Sequence, residues 1–179
     1  MKKIYFLLSL FCFLSFCVSI PSKEYPYFKR TSDQPYISQT TTKAILNRAR
    51  FTLPSKGELK QKSDGYVYLK VSDDYIKKLF PMLKLPDYNS PDYFRSAEAP
   101  GAHISVFYKD ESNHIRDLNE LGKTYNFKIE QLNVVDRGTY IVLAVRSKGL
   151  EDLRKDYGLS PLLHGHDFHI TIAKRKRSR

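Results

Sequence analysis

The sequence predicts a mixed α+β protein. Short apolar runs with the two-residue alternation of β-strands occur along the chain, and segments with the three- to four-residue apolar spacing of helices lie between them. At 179 residues, the chain has the length of one domain of ordinary size. Because helices intervene between the strands, we expect an α+β fold in which two similar halves each present one strand with a histidine.

A secretory signal peptide is predicted at residues 1–19. Lys2 and Lys3 form a charged start, an apolar run interrupted only by serines follows to Ile20, and Pro21 comes directly after it. Both cysteines of the sequence lie in this segment, so the mature protein would contain neither a disulfide bond nor a thiol. We therefore expect a secreted or periplasmic protein. The alternative is an uncleaved run that anchors the chain in a membrane by its amino terminus.

The mature chain is predicted to be basic. The sequence has 30 Lys and Arg against 19 Asp and Glu, and removal of the two leader lysines leaves 28 against 19, a net charge of +9. Such a field favours polyanions such as RNA, nucleotides or acidic lipid surfaces, although ordinary solubility charge is an alternative explanation. Residues 174–179 form a basic tail that suits non-specific phosphate contacts.

The elements before the first histidine are predicted as follows. Residues 20–62 lack a sustained apolar period and are expected to form an extended, partly ordered lead-in, with one helix near residues 42–50. The two-halved domain occupies residues 63–179 and begins with a strand over residues 66–71. A helix through Phe80 follows, and Pro81 shortens or bends it.

A proline-rich loop over residues 85–101 leads directly into the first histidine strand, residues 102–108. A loop of this length beside a candidate site indicates a lid or a substrate wall. After the strand, the spacing of Ile115, Leu118 and Leu121 predicts a helix that ends near Gly122.

The second half begins with an antiparallel hairpin. Its strands are predicted over residues 127–135 and 139–145, with a turn that contains Gly138. A helix follows and is closed by Gly158. The last strand covers residues 168–173 and carries the second histidine.

Each half thus carries a histidine and a hydroxyl residue two positions apart on a short apolar strand: His103-Ile104-Ser105 and His169-Ile170-Thr171. Strand alternation separates a motif face from a packed apolar face. On the motif face we expect His103, Ser105, His169, Thr171 and Ala173. On the packed face we expect Ile104, Val106, Tyr108, Phe168, Ile170 and Ile172.

Two histidines and two hydroxyls suit the cleavage of a phosphodiester. This reaction needs a base for the attacking oxygen and an acid for the leaving oxygen, and an imidazole with an ordinary pKa of about 6.5 can serve as either near neutral pH. Hydroxyl groups can donate to the non-bridging phosphate oxygens. No metal is required, and the sequence contains no acid-rich cluster of the kind that holds two metal ions.

The two motifs resemble those of the two-histidine (2H) phosphoesterase superfamily, which includes bacterial 2′-5′ RNA ligase-like proteins and cyclic nucleotide phosphodiesterases. The resemblance covers residues 65–174. It implies a bilobal, pseudo-twofold fold in which duplicated β/α lobes with antiparallel sheets surround a central cleft. It also implies activity on 2′,3′-cyclic or 2′,5′-linked phosphodiesters, with His103 and His169 as acid and base and with Ser105 and Thr171 binding phosphate.

The chain departs from the usual family pattern in two respects. Ala102 and Phe168 precede the histidines where many members have proline, and a leader peptide is uncommon in the family. We expect an RNA oligonucleotide or a small cyclic nucleotide as substrate, no cofactor or metal, no stable membrane partner after leader removal, and a monomer. The predicted substrate-binding residues are Tyr93, His166 and Lys174; Tyr88 and Tyr108 are also expected near the cleft.

Two other functions compete with this interpretation. The first is metal-dependent hydrolysis, because His164, His166 and His169 are close in sequence. The metallo-hydrolase pattern His-x-His-x-Asp-His requires its aspartate at position 168, however, whereas the aspartate is Asp167. The second alternative is a secreted, basic nucleic-acid-binding protein without catalysis, in which some of the 13 tyrosines stack on bases. This alternative accounts for the charge but leaves the repeated motif unexplained.

Overall fold

The structure is a computed structural model that describes residues 35–96, 99–112, 115 and 117–177. The predicted leader lies outside the described residues. Strands and helices are mixed along the chain, which confirms the predicted α+β class. Within the described ranges, no helix is both long and apolar enough to cross a membrane.

Among the described residues, eight strands form one sheet in which every paired neighbour is antiparallel. In chain order they are β1 Lys56–Gln61, β2 Val67–Lys70, β3 Tyr88–Asn89, β4 His103–Phe107, β5 Thr124–Asn126, β6 Lys128–Val135, β7 Tyr140–Arg146 and β8 His169–Arg175. Their order across the sheet is β5-β1-β2-β4-β8-β7-β6, and β3 pairs with β8 outside this path. The two histidine strands, β4 and β8, therefore lie side by side in the middle of the sheet.

In the described part of the chain, five α-helices accompany the sheet: α1 Gln39–Phe51, α2 Asp74–Lys77, α3 Phe80–Leu83, α4 Lys109–Ser112 and α5 Lys148–Asp156. Ser38 caps α1 by accepting a hydrogen bond from the Thr41 N–H at 3.1 Å. The single predicted helix around Pro81 is divided into the short helices α2 and α3, with the proline in the first turn of α3.

Apolar side chains of the sheet and helices pack into one buried cluster. Ile104 of β4 and Ile170 of β8 face each other across the central strand pair, and both are fully buried. Their burial orients both strands, because successive side chains of a strand point to opposite faces. The neighbours of Ile104 and Ile170 within each strand must therefore lie on the other face of the sheet.

The helix predicted near residues 42–50 is confirmed as α1, which covers residues 39–51. The rest of the described lead-in differs from the expectation of an extended segment, because residues 56–61 form β1, which pairs with both β2 and β5. Leu59 is the only fully buried residue of β1. A strand with a single buried side chain gives almost no apolar alternation, so the sequence signal for it was missing.

The predicted helix through Leu121 is also wrong. Helix α4 ends at Ser112, and the described residues 117–122 have no helical structure. The Gly122 N–H donates to the Leu59 carbonyl at 2.9 Å, and the Leu59 N–H donates to the Lys123 carbonyl at 2.9 Å. Pairing with β1 uses the backbone groups that would otherwise complete the helix.

The predicted hairpin is confirmed as β6 and β7, and the predicted last helix is confirmed as α5, which is followed by Gly158 at a φ of 72°. Arg154 of α5 is fully buried and pairs with Glu111 at 2.6 Å. It also donates to the carbonyls of Val106 and Ser160. This one guanidinium thus connects the end of β4 to the segment that precedes β8.

Candidate active site

The two motifs meet across the central strand pair. Since β4 and β8 are antiparallel and Ile104 faces Ile170, the adjoining register positions put His103 opposite Thr171 and Ser105 opposite His169. Each histidine therefore neighbours the hydroxyl of the other motif, in addition to the hydroxyl of its own. Side chains of directly opposed residues lie about 5 Å apart at Cβ.

All four motif side chains line one cavity of about 450 Å³. The ends of the β1–β2 and β6–β7 hairpins flank it, and the segment before β4 forms a further wall. The other lining residues are Lys62, Tyr66, Tyr93, Pro100, Tyr108, Val135, Tyr140 and Val142. A cavity of this volume has the size of a small-molecule site, and four of its walls are tyrosine rings.

The same type of hydrogen bond to the backbone orients both imidazole rings. His103 Nδ1 lies 2.8 Å from the Gly101 carbonyl, and His169 Nδ1 lies 3.1 Å from the Asp167 carbonyl. A carbonyl oxygen can only accept, so Nδ1 carries the proton in each neutral ring. The Nε2 lone pair of each histidine is thereby left free to bind a proton or a ligand.

Tyrosine rings surround His103. Its ring centroid lies 4.7 Å from that of Tyr93, 5.7 Å from that of Tyr68 and 6.0 Å from that of Tyr66, all in edge-type contacts. These rings remove water from the imidazole without offering it a negative charge. The neutral form of His103 is favoured as a result.

Both histidines have a lowered pKa. Burial lowers the pKa of His103 to about 4, and the positive charges of Lys70 and Lys62 and a protonated His169 act in the same direction, against the Gly101 hydrogen bond. Burial also lowers the pKa of His169, and His166 adds to this effect, whereas the Asp167 carbonyl and carboxylate oppose it. Both rings are therefore neutral at pH 7 when no anion is bound.

The motif hydroxyls contact tyrosine hydroxyls. Tyr66 is hydrogen-bonded to Ser105, Tyr108 also interacts with Ser105, and Tyr93 interacts with Thr171. Burial raises the pKa of all three tyrosines, so each keeps its proton at neutral pH. A protonated tyrosine can donate to the hydroxyl oxygen and leave the serine or threonine proton available to an anion.

A bulge in β8 alters the predicted alternation. Val142 pairs with Thr171, but the next residue of β7, Ile141, pairs with Ala173, so Ile172 is an extra residue in β8. The prediction that Ala173 shares the face of His169 is therefore wrong: Ala173 is fully buried. The bulge puts Lys174 opposite the cavity-lining Tyr140, with its Nζ 5.8 Å from the ring centroid.

Three other predicted positions differ in the structure. Tyr88 is buried and donates its hydroxyl hydrogen bond to the Gly138 carbonyl, so it belongs to the core rather than the cavity. Tyr108 lines the cavity, in agreement with its expected place near the cleft, but it does not lie on the packed face that strand alternation predicted, because β4 ends at Phe107. His166 is exposed outside the cavity lining, in a turn where its backbone pairs with Leu163.

The sequence interpretation missed the cavity residues Lys62, Tyr66 and Tyr140. They lie beside the tight turns that end the two hairpins, at residues 62–65 and 136–138. The turn signals were visible in the sequence, but their approach to the histidines depends on how the hairpins flank β4 and β8. Within the described part of the chain, no group of three or more His, Cys, Asp and Glu residues is arranged to hold a metal ion.

An antiparallel sheet that brings two His-x-Ser/Thr strands into one cavity defines a protein of the two-histidine class. A family model described as "Swiss Army Knife, 2H phosphoesterase domain" matches residues 67–178. The chain belongs to this family of 2H phosphoesterases, and the predicted superfamily membership is confirmed. Searches of curated proteins and of solved structures gave no match. Family membership supports a phosphoesterase activity in general terms.

Proposed function

We propose that the protein is a metal-independent phosphodiesterase that acts on RNA or nucleotide substrates with a 2′,3′-cyclic phosphate or a 2′,5′ linkage. One observation carries this proposal: two neutral histidines, each with Nε2 left free, line one cavity together with two hydroxyls. An in-line displacement at phosphorus needs one proton acceptor and one proton donor on opposite sides of the phosphate.

In the proposed reaction, His103 is the base and His169 is the acid. His103 Nε2 takes a proton from water, the water oxygen bonds to phosphorus, and the bond from phosphorus to one ribose oxygen breaks. His169 gives its Nε2 proton to that ribose oxygen. The assignment is supported by the aromatic surroundings of His103 and by the nearby Asp167, which favours a proton on His169.

Ser105 and Thr171 are proposed to donate to the non-bridging phosphate oxygens. Their tyrosine contacts support this role, since a tyrosine that donates to Ser105 leaves the serine proton for the phosphate. The bound anion would also favour protonated imidazole, which supplies the acid that the free site lacks at pH 7.

Tyr93, Lys174 and His166 are proposed to bind the rest of the substrate. Tyr93 lines the cavity, and Lys174 lies beside Tyr140 at its edge. An aromatic ring suits stacking on a base and an ammonium group suits a phosphate. His166 is proposed only as an exposed contact for a longer substrate.

We also propose that the two halves of the domain are related by a pseudo-twofold axis between Ile104 and Ile170. The topology supports this relation. Outward from β4 lie β2 and β1, and outward from β8 lie β7 and β6. Apart from the two-residue strand β3, which lies between α3 and β4, each half has the order strand, strand, helical segment, strand, because α2 and α3 precede β4 and α5 precedes β8.

The proposed function is tested with purified mature protein, 2′,3′-cyclic AMP, a 2′,5′-linked oligoadenylate and excess EDTA. We expect hydrolysis of at least one substrate, loss of that activity in His103→Ala and His169→Ala, and no effect of EDTA. The pH profile of kcat/KM should be bell-shaped with its optimum below pH 6.5, because both histidine pKa values are lowered in the free protein. RNA binding without hydrolysis would instead favour the non-catalytic alternative.

We propose in addition that the protein is exported and loses its leader. The charged start and the serine-interrupted apolar run support this proposal. Mass spectrometry of the exported protein should show loss of roughly the first 19 to 22 residues. Intact protein in the membrane fraction would contradict cleavage and favour an amino-terminal anchor.

A further inference from the structure

The carbonyl that holds His103 is itself fixed by an aspartate outside the cavity. Asp73 Oδ1 accepts a hydrogen bond from the Ala102 N–H at 3.0 Å, and the same oxygen pairs with the Lys70 ammonium group. Ala102 is the residue directly before His103. The carboxylate is therefore two hydrogen bonds from the imidazole, through the peptide that joins Gly101 to Ala102.

The groups around this peptide are all paired. The Gly101 N–H donates to the Tyr93 carbonyl at 2.9 Å, and the Ala102 carbonyl accepts from the Val71 N–H at 3.1 Å. The Gly101 carbonyl accepts from His103 Nδ1 at 2.8 Å. With its neighbours fixed, this carbonyl has one available direction, and the imidazole must align with it.

Gly101 is required at its position. Its φ is 63°, a conformation that side chains disfavour, and an added Cβ would overlap both Lys70 Nζ and Asp73 Oδ1. The ion pair of Lys70 and Asp73 thus packs directly on the glycine that holds the histidine. A substitution at Gly101 would displace the ion pair, the carbonyl or both.

We infer that Asp73 is a positioning residue for His103: its carboxylate fixes the Gly101–Ala102 peptide, so that the Gly101 carbonyl holds the proton on Nδ1 and leaves Nε2 for the cavity. The catalytic importance of this role rests on the proposed function, but the effect of Asp73 on the His103 tautomer does not. The charge of Asp73 has a second effect, because it offsets the Lys70 ammonium group near the imidazole. The pKa of Asp73 stays below its usual value: burial would raise it, but the Lys70 ion pair and the Ala102 N–H outweigh that effect.

Three variants separate the hydrogen bond from the charge. Asp73→Ala removes both. Asp73→Asn keeps an oxygen that can accept from the Ala102 N–H but removes the negative charge. Asp74→Asn is the matched control, because the neighbouring Asp74 forms an ion pair with Lys78 on the surface.

The first measurement is the tautomer of His103, by nitrogen-15 NMR of the protein without substrate. We expect the Nδ1–H tautomer in the wild type, in Asp74→Asn and in Asp73→Asn, and a shift of several-fold toward the Nε2–H tautomer in Asp73→Ala. If Asp73→Ala fails to fold, Gly101→Ala is measured in its place, and the same shift is expected. A folded Asp73→Ala or Gly101→Ala protein with the wild-type tautomer would overturn the inference.

The second measurement is kinetic. A base that is displaced by a fraction of an ångström should lower kcat, and we expect about a 10-fold loss in Asp73→Ala with little change in KM. In Asp73→Asn, Lys70 is no longer offset, so the acidic limb of the kcat/KM profile should move to lower pH while kcat at its plateau is kept. His169 and Lys62 also act on His103 and are unchanged in these variants. Loss of thermal stability in Asp73→Ala without any change in kcat would contradict a positioning role.

The proposed function and the Asp73 inference can be disproved independently. If the wild type hydrolyses none of the phosphodiesters, the proposed function is wrong, and the tautomer measurement still tests the Asp73 inference. If the wild type is active and Asp73→Ala has the wild-type tautomer, kcat and pH profile, only the Asp73 inference is wrong.

Discussion

The His103 side and the His169 side of the cavity hold their histidines by the same hydrogen bond but differ in the residues that surround the imidazole. In both, a strand histidine donates from Nδ1 to the carbonyl two residues earlier. Around His103 the neighbours are tyrosine rings and an aspartate-fixed glycine peptide. Around His169 they include the charged or titratable groups Asp167 and His166. In the proposed mechanism, the same motif supplies a base on one side and an acid on the other. The tyrosine rings around His103 favour neutral imidazole more strongly than the surroundings of His169, beside a carboxylate, do.

Removal of either imidazole is expected to have the largest effect on activity. His103→Ala and His169→Ala should each lower kcat by about 10²- to 10⁴-fold, the usual contribution of one positioned proton transfer. The double variant should lose much less than the product of the two, since the residues act in one step. Steady-state kinetics on the best substrate from the screen measures all three values. Wild-type turnover in His103→Ala would refute the two-histidine scheme.

The difference between the two sides should also appear in folding stability. An unfolded histidine has a pKa of about 6.5, whereas folded His103 has one of about 4, so between these values the unfolded chain binds the extra proton. The free energy of unfolding should therefore fall as the pH is lowered through this window, by up to about 3 kcal/mol from His103 alone. Urea denaturation at pH 7 and pH 4.5 measures the loss.

Glutamine variants show which histidine causes this loss of unfolding free energy at low pH. His103→Gln should be less sensitive to pH than the wild type over this range, and His169→Gln should show a smaller reduction in sensitivity, since the nearby Asp167 opposes the shift at His169. Asp73 also loses its ion pair on protonation, which contributes at lower pH in every variant. Equal pH sensitivity in the two glutamine variants would contradict the proposed difference between the sides.

Much of the site followed from the sequence because it depends on strand alternation. The phases of His103, Ser105, His169 and Thr171 were predictable from their apolar neighbours, and the structure brings all four into one cavity. The pairing of β4 with β8 was not predictable, because sequence patterns define the faces of a strand but not its partners. Strand β1 was missed for a different reason: only Leu59 of its side chains is fully buried.

Two of the positions that the sequence interpretation misplaced lie where a strand is irregular or ends. Ala173 lies on the packed face because β8 contains a bulge, and Tyr108 lies in the cavity because it is just beyond the end of β4. An alternating pattern is valid only while the strand remains regular. The contact of Asp73 with the Ala102 N–H had no sequence signal, because it joins residues 29 positions apart.

A smaller effect is expected from the hydroxyl network. Ser105→Ala and Thr171→Ala remove a phosphate donor but no proton carrier, so each should lower kcat by about 10-fold, with both limbs of the pH profile kept. Tyr66→Phe should lower it by about threefold, because Ser105 loses a partner but retains its hydroxyl. Tyr68→Phe is the matched control, since its ring stacks on Tyr66 at 5.7 Å and likewise touches His103.

Both variants keep the aromatic ring and remove only a hydroxyl, so the control decides whether the hydrogen bond to Ser105 is important. Equal losses in Tyr66→Phe and Tyr68→Phe would show that the rate does not depend on the hydrogen bond between Tyr66 and Ser105 in particular. Loss of one limb of the pH profile in Ser105→Ala would mean that the serine takes part in proton transfer.

The smallest effect on activity is expected from the charge of Lys174 at the cavity edge. Lys174 lies on the His169 side beside Tyr140, at a position that only the β8 bulge makes possible. Lys174→Ala should raise KM about threefold for an oligonucleotide at low salt and leave kcat unchanged, because a phosphate contact far from the reacting bond contributes equally to ground state and transition state. The increase should shrink at 0.5 M salt, where the Debye length is below about 8 Å.

Lys155→Ala, on the exposed part of α5, is the matched control and should have wild-type KM at both salt concentrations. A salt-independent increase, or an equal increase in Lys155→Ala, would show that Lys174 makes no specific phosphate contact.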